Sequence, residues 1–149
     1  MQENYVYIKI PSYSNNESFA RSAVAAFCSC LNPTIEEISD IKTAVSEAVT
    51  NAIIHGYENK IGEIAIECRI EGRLVEIIIE DFGCGISNIE KAKEPLFTSK
   101  PELERSGMGF TVMETFMDEL VVLSEKSIGT KVILRKKISQ KNENINRVK

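Results

Sequence analysis

The sequence predicts an α+β protein, a two-layer α/β sandwich with helices on one face of a mixed, mainly antiparallel sheet. Three observations carry this. Alternating segments come in consecutive pairs joined by short turns, as in Ile64 to Ile70 followed by Leu74 to Glu80, which is the mark of hairpins. Segments of helical period form a separate group, whereas a doubly wound sheet would interleave single strands with single helices. A length of 149 residues suits one such core, since chains of this size bury roughly 68–70% of the surface they expose when unfolded.

The elements follow in order. Tyr5 to Ile10 alternates with Val6, Ile8 and Ile10 on one face, the period of a half-buried strand. A helix is expected after Asn15-Asn16, with Phe19, Ala23, Phe27, Cys30 and Leu31 as its apolar stripe until Pro33 breaks the pattern. Thr34 and Glu37 form a capping box for the next helix. Its stripe of Ile38, Ile41, Val45, Val49 and Ala52 runs as far as Gly56. Gly62 opens the strand of Ile64, Ile66, Cys68 and Ile70, and Glu71-Gly72 turns it back into Leu74 to Glu80. Beyond Asp81 the period fades to Ser106, apart from a helical turn over Asn88 to Ala92; a loop this long is expected to be a functional lid or a disordered segment. A helix over about Gly109 to Met117 precedes a last hairpin, Leu120 to Ser124 with Thr130 to Arg135, across Ile128-Gly129. One domain over residues 1–138 is expected, with a polar, frayed tail over 139–149.

Composition excludes several classes. Apolar residues are 43% and charged residues 27% of the chain, and no apolar run approaches the roughly 20 residues of a membrane span. The first ten residues alternate instead of forming a basic start and an apolar block, so a cytoplasmic location is expected. A formal charge of −4 argues against direct nucleic-acid binding, which calls for a basic face. Cys28, Cys30, Cys68 and Cys84 match no zinc framework and no secreted disulfide scaffold, and are read as free thiols. His55 is the sole histidine, which rules out a multi-histidine metal site.

Four segments carry possible chemistry. At roughly 100° per residue, Glu47 and Asn51 share a helix stripe away from Ile38, Val45 and Val49. For a lone Glu and Asn an ordinary solvated face is the better account, but small flanking residues, Ala48 and Ala52, permit close approach. Asp81-Phe82-Gly83-Cys84-Gly85 follows a strand; a carboxylate there can accept a hydrogen bond from an exocyclic amine such as adenine N6, and two glycines let backbone approach a flat ring. The plainer account is a glycine-rich turn. A third glycine and a βαβ setting are missing, so this is no dinucleotide fingerprint, and without a His-Arg-Asp loop it is no eukaryotic-type kinase motif.

Arg105-Ser106-Gly107-Met108-Gly109-Phe110 leads into a helix, whose N-terminal N–H groups suit phosphate oxygens, although a glycine hinge is the blander reading and the P-loop pattern is absent. Thr130, after Gly129, has a hydroxyl that can reach a ring nitrogen directly or through water, or merely opens a strand. His55, near a helix end, reads as a capping or packing residue.

Taken together and in order, Glu47 to Asn51, Asp81 to Gly85, Gly107 to Gly109 and Gly129-Thr130 resemble the four sequence boxes of the GHKL ATPases, the superfamily that includes gyrase and the histidine kinases. Within it, Glu47 to Tyr57 and Gly107 to Asp118 resemble the sporulation anti-sigma F family of serine kinases. The resemblance implies ATP/ADP and Mg²⁺ as cofactors, with Glu47 as general base and Asn51 as Mg²⁺ ligand. It implies that Asp81 reads the adenine amine, with Gly83, Gly85 and Thr130 around the ring. Arg105 and the amides of Gly107, Met108, Gly109 and Phe110 would meet the phosphates, and Thr98 and Ser99 would sit in the lid. It further implies a homodimer, for which the alternating first strand offers a pairing edge, a sporulation sigma factor held inactive, and an anti-anti-sigma protein phosphorylated on serine. Glu17 and Arg21, expected on the exposed side of the first helix opposite Phe19, Ala23 and Phe27, would meet both partners. A nucleotide-gated sigma-binding module without phosphotransfer, and a stress-response type of anti-sigma kinase, are the alternatives.

Overall fold

A computed structural model describes residues 3–58, 60–94 and 109–140. Thr98, Ser99, Arg105, Gly107 and Met108, and residues 141–149 of the expected tail, lie outside the described residues. The elements are β1 (Glu3–Pro11), α1 (Asn16–Cys28), α2 (Ile35–Asn51), β2 (Glu63–Glu71), β3 (Leu74–Asp81), α3 (Ile89–Ala92), α4 (Gly109–Phe116), β4 (Glu119–Glu125) and β5 (Gly129–Lys137). A short 3₁₀ turn, Ser29–Leu31, follows α1, and a π turn, Ala52–Gly56, continues α2.

The strands form one sheet in the order β1-β2-β3-β5-β4. Every neighbouring pair is antiparallel, so among the described residues the sheet is wholly antiparallel where a mixed one was expected. Two of the four pairings are hairpins, which can only be antiparallel; β1 and β5 join the central pair through longer connections whose sense no local pattern specifies. The β2–β3 turn is Gly72-Arg73, with Gly72 at φ +60°, a conformation that costs glycine nothing. Alternation sends Ile64, Ile66, Cys68 and Ile70 of β2, Val75, Ile77 and Ile79 of β3, and Val132 and Leu134 of β5 into the core.

Helix α2 covers this face. Thr34 Oγ1 accepts from the Glu37 amide at 3.0 Å, and Glu37 Oε1 accepts from the Thr34 amide at 2.9 Å, so the capping box is formed. The buried side of α2 is Ile41, Ala44, Val45, Ala48 and Val49. The sheet stripes and α2 belong to one apolar cluster, in which each fully buried aliphatic side chain contributes about 1.5–3 kcal/mol.

On α1 the structure corrects the sequence reading. The fully buried stripe is Ala20, Val24 and Cys28; of the expected residues Phe27 and Leu31 are half-buried against the core, while Phe19 is 55% exposed. Both sets repeat every four residues, so periodicity cannot choose between them; the small side chains of Ala20 and Cys28 are what let α1 lie close to its neighbours. Glu17 and Arg21 are therefore on the margin facing α2, not on the opposite side. Arg21 Nε and Glu17 Oε1 are 3.6 Å apart, with the Glu17 side chain the more enclosed. Asn15 precedes the helix but makes no capping bond.

Ser139, which the sequence assigns to the frayed tail, is held firmly. Its amide donates to Glu37 Oε2 at 2.8 Å, and Arg73 Nη2 donates to its carbonyl at 2.7 Å and to that of Leu31 at 2.7 Å. All four cysteines are free thiols. Among the described residues no helix is long and apolar enough to cross a membrane.

Candidate functional site

Between the C-terminal half of α2 and the sheet lies a cavity of about 400 Å³, a volume in the range of small-molecule sites. Its walls come from segments far apart in sequence: Asn51 and Gly56 from α2 and its π turn, Asp81 from β3, Gly85 to Asn88 from the following loop, Gly109 and Phe110 from α4, and Thr130 from β5. Ile79, Ile86 and Val132 give it apolar surface.

Asp81 sits where alternation calls for a core residue. It continues the buried series Val75, Ile77, Ile79 and is itself 5% exposed. Its Oδ1 accepts from the Gly83 amide at 2.9 Å. Burial pushes its pKa up to about 6; hydrogen bonds from the Gly83 and Thr130 amides hold it from rising further. At neutral pH it is a buried carboxylate largely ionised and facing a cavity, which makes it a strong acceptor for an N–H donor.

Glycines make room for it. A Cβ on Gly56 would lie 2.7 Å from Asp81 Oδ1, and one on Gly83 would lie 1.9 Å from the Gly56 carbonyl oxygen. The loop after β3 thus lies directly on the π turn, where the Cys84 amide donates to Gly56 O at 2.8 Å. Tyr57 fastens the same junction: its hydroxyl accepts from the Phe82 amide at 2.8 Å and donates to the Glu63 carbonyl.

Thr130 is paired with Asp81 across the β3–β5 ladder. Ser124 Oγ donates to Gly129 O at 3.0 Å, accepts from the Ile86 amide at 2.7 Å, and is 2.7 Å from Thr130 Oγ1. With Ser124's one proton given to Gly129, the Thr130 hydroxyl is the donor to Ser124. Thr130 then offers lone pairs, and no proton, to the cavity.

The first and third sequence segments meet at the start of α4. A Cβ on Gly109 would lie 3.2 Å from Asn51 Nδ2, 3.3 Å from Asn51 Oδ1 and 3.3 Å from Glu47 Oε2. Asn51 ends the regular helix and opens the π turn, a local widening often found at functional positions. Glu47 borders a separate shallow groove on the α1 side of α2. The amide ends of α4 therefore stand beside an amide and a carboxylate, and the helix N-terminus favours anions there.

Of the residues singled out in the sequence, Asn51, Asp81, Gly85, Gly109, Phe110 and Thr130 line the cavity. Gly83 does not line it; it holds Asp81 from behind. His55, read as a packing residue, lines the cavity. Glu17 and Arg21 lie apart from it on α1. Gly56, Tyr57 and Ser124 were missed. Gly56 had a signal, a glycine closing a helix, but was taken as a stop and nothing more.

The residues fit an adenine nucleotide. A cavity of this size, with apolar walls, a buried carboxylate and a helix N-terminus beside an amide oxygen, suits a purine carrying phosphates. Residues 11–136 match the model of the histidine kinase-like ATPase domain. The chain is 63% identical over 136 residues to the anti-sigma F factor of Clostridium kluyveri, covering 91% of this chain and 96% of that relative. It is 62% identical over 139 residues to the anti-sigma F factor of Clostridium acetobutylicum (93% and 97% covered). To that of Clostridium perfringens it is 59% identical over 138 residues (92% and 99%). With cavity, buried carboxylate and sequence in agreement, the chain belongs to the histidine kinase-like ATPase family and, within it, to the anti-sigma F factors.

Proposed function

We propose that the protein is an anti-sigma factor and protein serine kinase of the cytoplasm: it holds a sporulation sigma factor inactive and uses Mg-ATP to phosphorylate a serine of an anti-anti-sigma protein, acting as a homodimer. The observation that carries this reading is the meeting of Glu47, Asn51 and Gly109 beside a cavity with Asp81 in its wall.

The residues divide the work. Asp81 accepts a hydrogen bond from the adenine amine, with Gly85 giving the ring room and Thr130 reached through water. Asn51 holds Mg²⁺ through its side-chain oxygen, as suits a hard cation that keeps several waters. When bound, Mg-ATP supplies the phosphoryl group and its metal draws charge from the phosphate oxygens. Arg105 and the amides of Gly107, Met108, Gly109 and Phe110 neutralise the phosphates, with Thr98 and Ser99 in the segment that covers them. Glu47 orients the incoming serine hydroxyl and takes its proton, a task a carboxylate can perform at neutral pH. Glu17 and Arg21, on one margin of α1, belong to the surface shared by the two protein partners.

The test is incubation of the protein with labelled ATP, Mg²⁺ and a purified anti-anti-sigma protein, followed by phosphoamino-acid analysis. Labelled phosphoserine on the partner is expected. Tight nucleotide binding without it would replace the kinase reading with a nucleotide-gated binding module.

A further inference from the structure

Asp81, Thr130 and Ser124 stand in one row across three strands: Asp81 of β3 is opposite Thr130 of β5, and Thr130 is opposite Ser124 of β4. The first two are buried and line the cavity. Ser124 is half-buried, stands behind them and does not line it.

A count of protons along the row fixes what its cavity side can do. Ser124 Oγ has one proton and two lone pairs. The proton goes to Gly129 O at 3.0 Å, one lone pair takes the Ile86 amide at 2.7 Å, and the other takes the Thr130 hydroxyl at 2.7 Å. Thr130 spends its other proton too, since its amide donates to the Asp81 carboxylate. Ser124 is saturated, and Thr130 has nothing left to donate. Asp81, largely ionised at neutral pH, and Thr130 thus form a wall of acceptors.

Such a wall sorts rings by the group they turn toward it. A 6-amino purine brings two protons, whereas a 6-oxo purine sets lone pairs against lone pairs and leaves buried polar groups without partners. Ser124 decides how strict the sorting is. Without its oxygen, the Thr130 hydroxyl could turn its proton into the cavity and meet an oxo group.

We infer that Ser124 is a specificity-determining residue: by holding the Thr130 proton away from the cavity it selects a 6-amino purine over a 6-oxo purine, acting through Thr130 without touching the ring. This rests on the nucleotide reading above and adds to it a residue outside the cavity wall. Asp81 chooses the amine, and Ser124 keeps Thr130 from serving the oxo counterpart.

The experiment compares binding of Mg-ADP and Mg-IDP by titration calorimetry. Inosine diphosphate differs from ADP only in its 6-oxo group and the proton on N1. The readout is the Kd for IDP divided by that for ADP, because a merely structural loss weakens both nucleotides alike and cancels. Ser124→Ala should lower this ratio at least about fivefold, the weight of one hydrogen bond. Ser124→Cys keeps the shape but accepts weakly, so it should lower the ratio too and carries the test should Ser124→Ala not fold. Ser124→Thr retains the hydroxyl and should keep the wild-type ratio. In a Thr130→Val background, Ser124→Ala should change the ratio by less than about twofold, as expected when one residue acts through the other. An unchanged ratio in Ser124→Ala or, should that not fold, in Ser124→Cys overturns the role of Ser124 and leaves the nucleotide reading standing, as does an equal fall with and without the Thr130 hydroxyl. Failure of wild type to bind ADP overturns both.

Discussion

Asp81 and Thr130 face each other across the β3–β5 ladder on the side of the sheet that packs against the helices. Two polar side chains thus occupy positions that alternation reserves for the core, and the cavity is what meets them there. The arrangement sets binding against stability, because burial penalises the charged carboxylate and the Gly83 and Thr130 amides offset that only in part until a ligand donates a further hydrogen bond.

Asp81→Asn should stabilise the nucleotide-free protein and abolish adenine recognition. In the folded chain the pKa of Asp81 is about 6, above its ordinary 3.8, so the folded state holds the proton more tightly. The resulting stabilisation is complete below about pH 4 and is lost as pH rises through about 6. At pH 7.5 the asparagine variant should be more stable by up to about 3 kcal/mol, with the difference vanishing near pH 4. Urea melts across this range check the first claim, and calorimetry with ADP the second. A variant less stable than wild type at pH 7.5 would refute the assignment of Asp81 as a strained buried acid.

Gly83→Ala should be the more damaging of two glycine substitutions. Its new methyl would meet backbone, 1.9 Å from Gly56 O, whereas that of Gly56→Ala would meet the end of the Asp81 side chain at 2.7 Å. Backbone cannot step aside, so Gly83→Ala should cost about 3 kcal/mol and Gly56→Ala about 1 kcal/mol. Gly56→Ala should nevertheless weaken ADP binding at least about tenfold, since the carboxylate that yields is the one facing the ligand. Equal stabilities would show that the loop after β3 does not rest on the π turn.

Glu47→Gln should bind Mg-ADP as tightly as wild type and lose phosphotransfer by about a hundredfold or more, the usual share of a general base. Asn51→Ala should behave differently, losing the part of nucleotide affinity that depends on Mg²⁺. Titrations with and without the metal, beside a phosphotransfer assay, separate the two residues.

Glu37→Ala should destabilise the protein more than Thr34→Ala. Loss of the cap alone costs about 1 kcal/mol. Glu37 also accepts from the amide and the hydroxyl of Ser139, so its removal releases two further hydrogen bonds, each about 0.5–1.5 kcal/mol. Thermal denaturation of the two variants gives the order.

Local rules explain what could be read in the sequence. The capping box at Thr34 and Glu37, the turn at Gly72 and the helical turn after Asn88 each depend on neighbours a few residues away, and each formed as expected. The face of α1 was read only in part: Phe27 packs against the core and Phe19 does not, because Phe19, Ala23, Phe27 and Ala20, Val24, Cys28 are equally periodic and the choice depends on what the rest of the chain brings near. Asp81 was recognised from its strand-end position and two glycines, but its burial follows from the parity of β3, which the apolar run Ile77 to Ile79 conceals. The approach of Gly109 to Glu47 and Asn51 is purely tertiary. The π turn is invisible to periodicity, because Ala52 to Gly56 continue the stripe of α2 without a break.

Arg73 has a counterpart at the opposite end of the sheet. Its guanidinium joins the β2–β3 turn to Leu31, Ile138 and Ser139, so three separate stretches of chain are sutured at one pole of the sheet. Asp81 is at the other end of β3, where the Tyr57 hydroxyl joins the π turn to Phe82 and Glu63. Each pole of the sheet is thus cinched by one side chain, a guanidinium at the far end and a phenol beside the cavity.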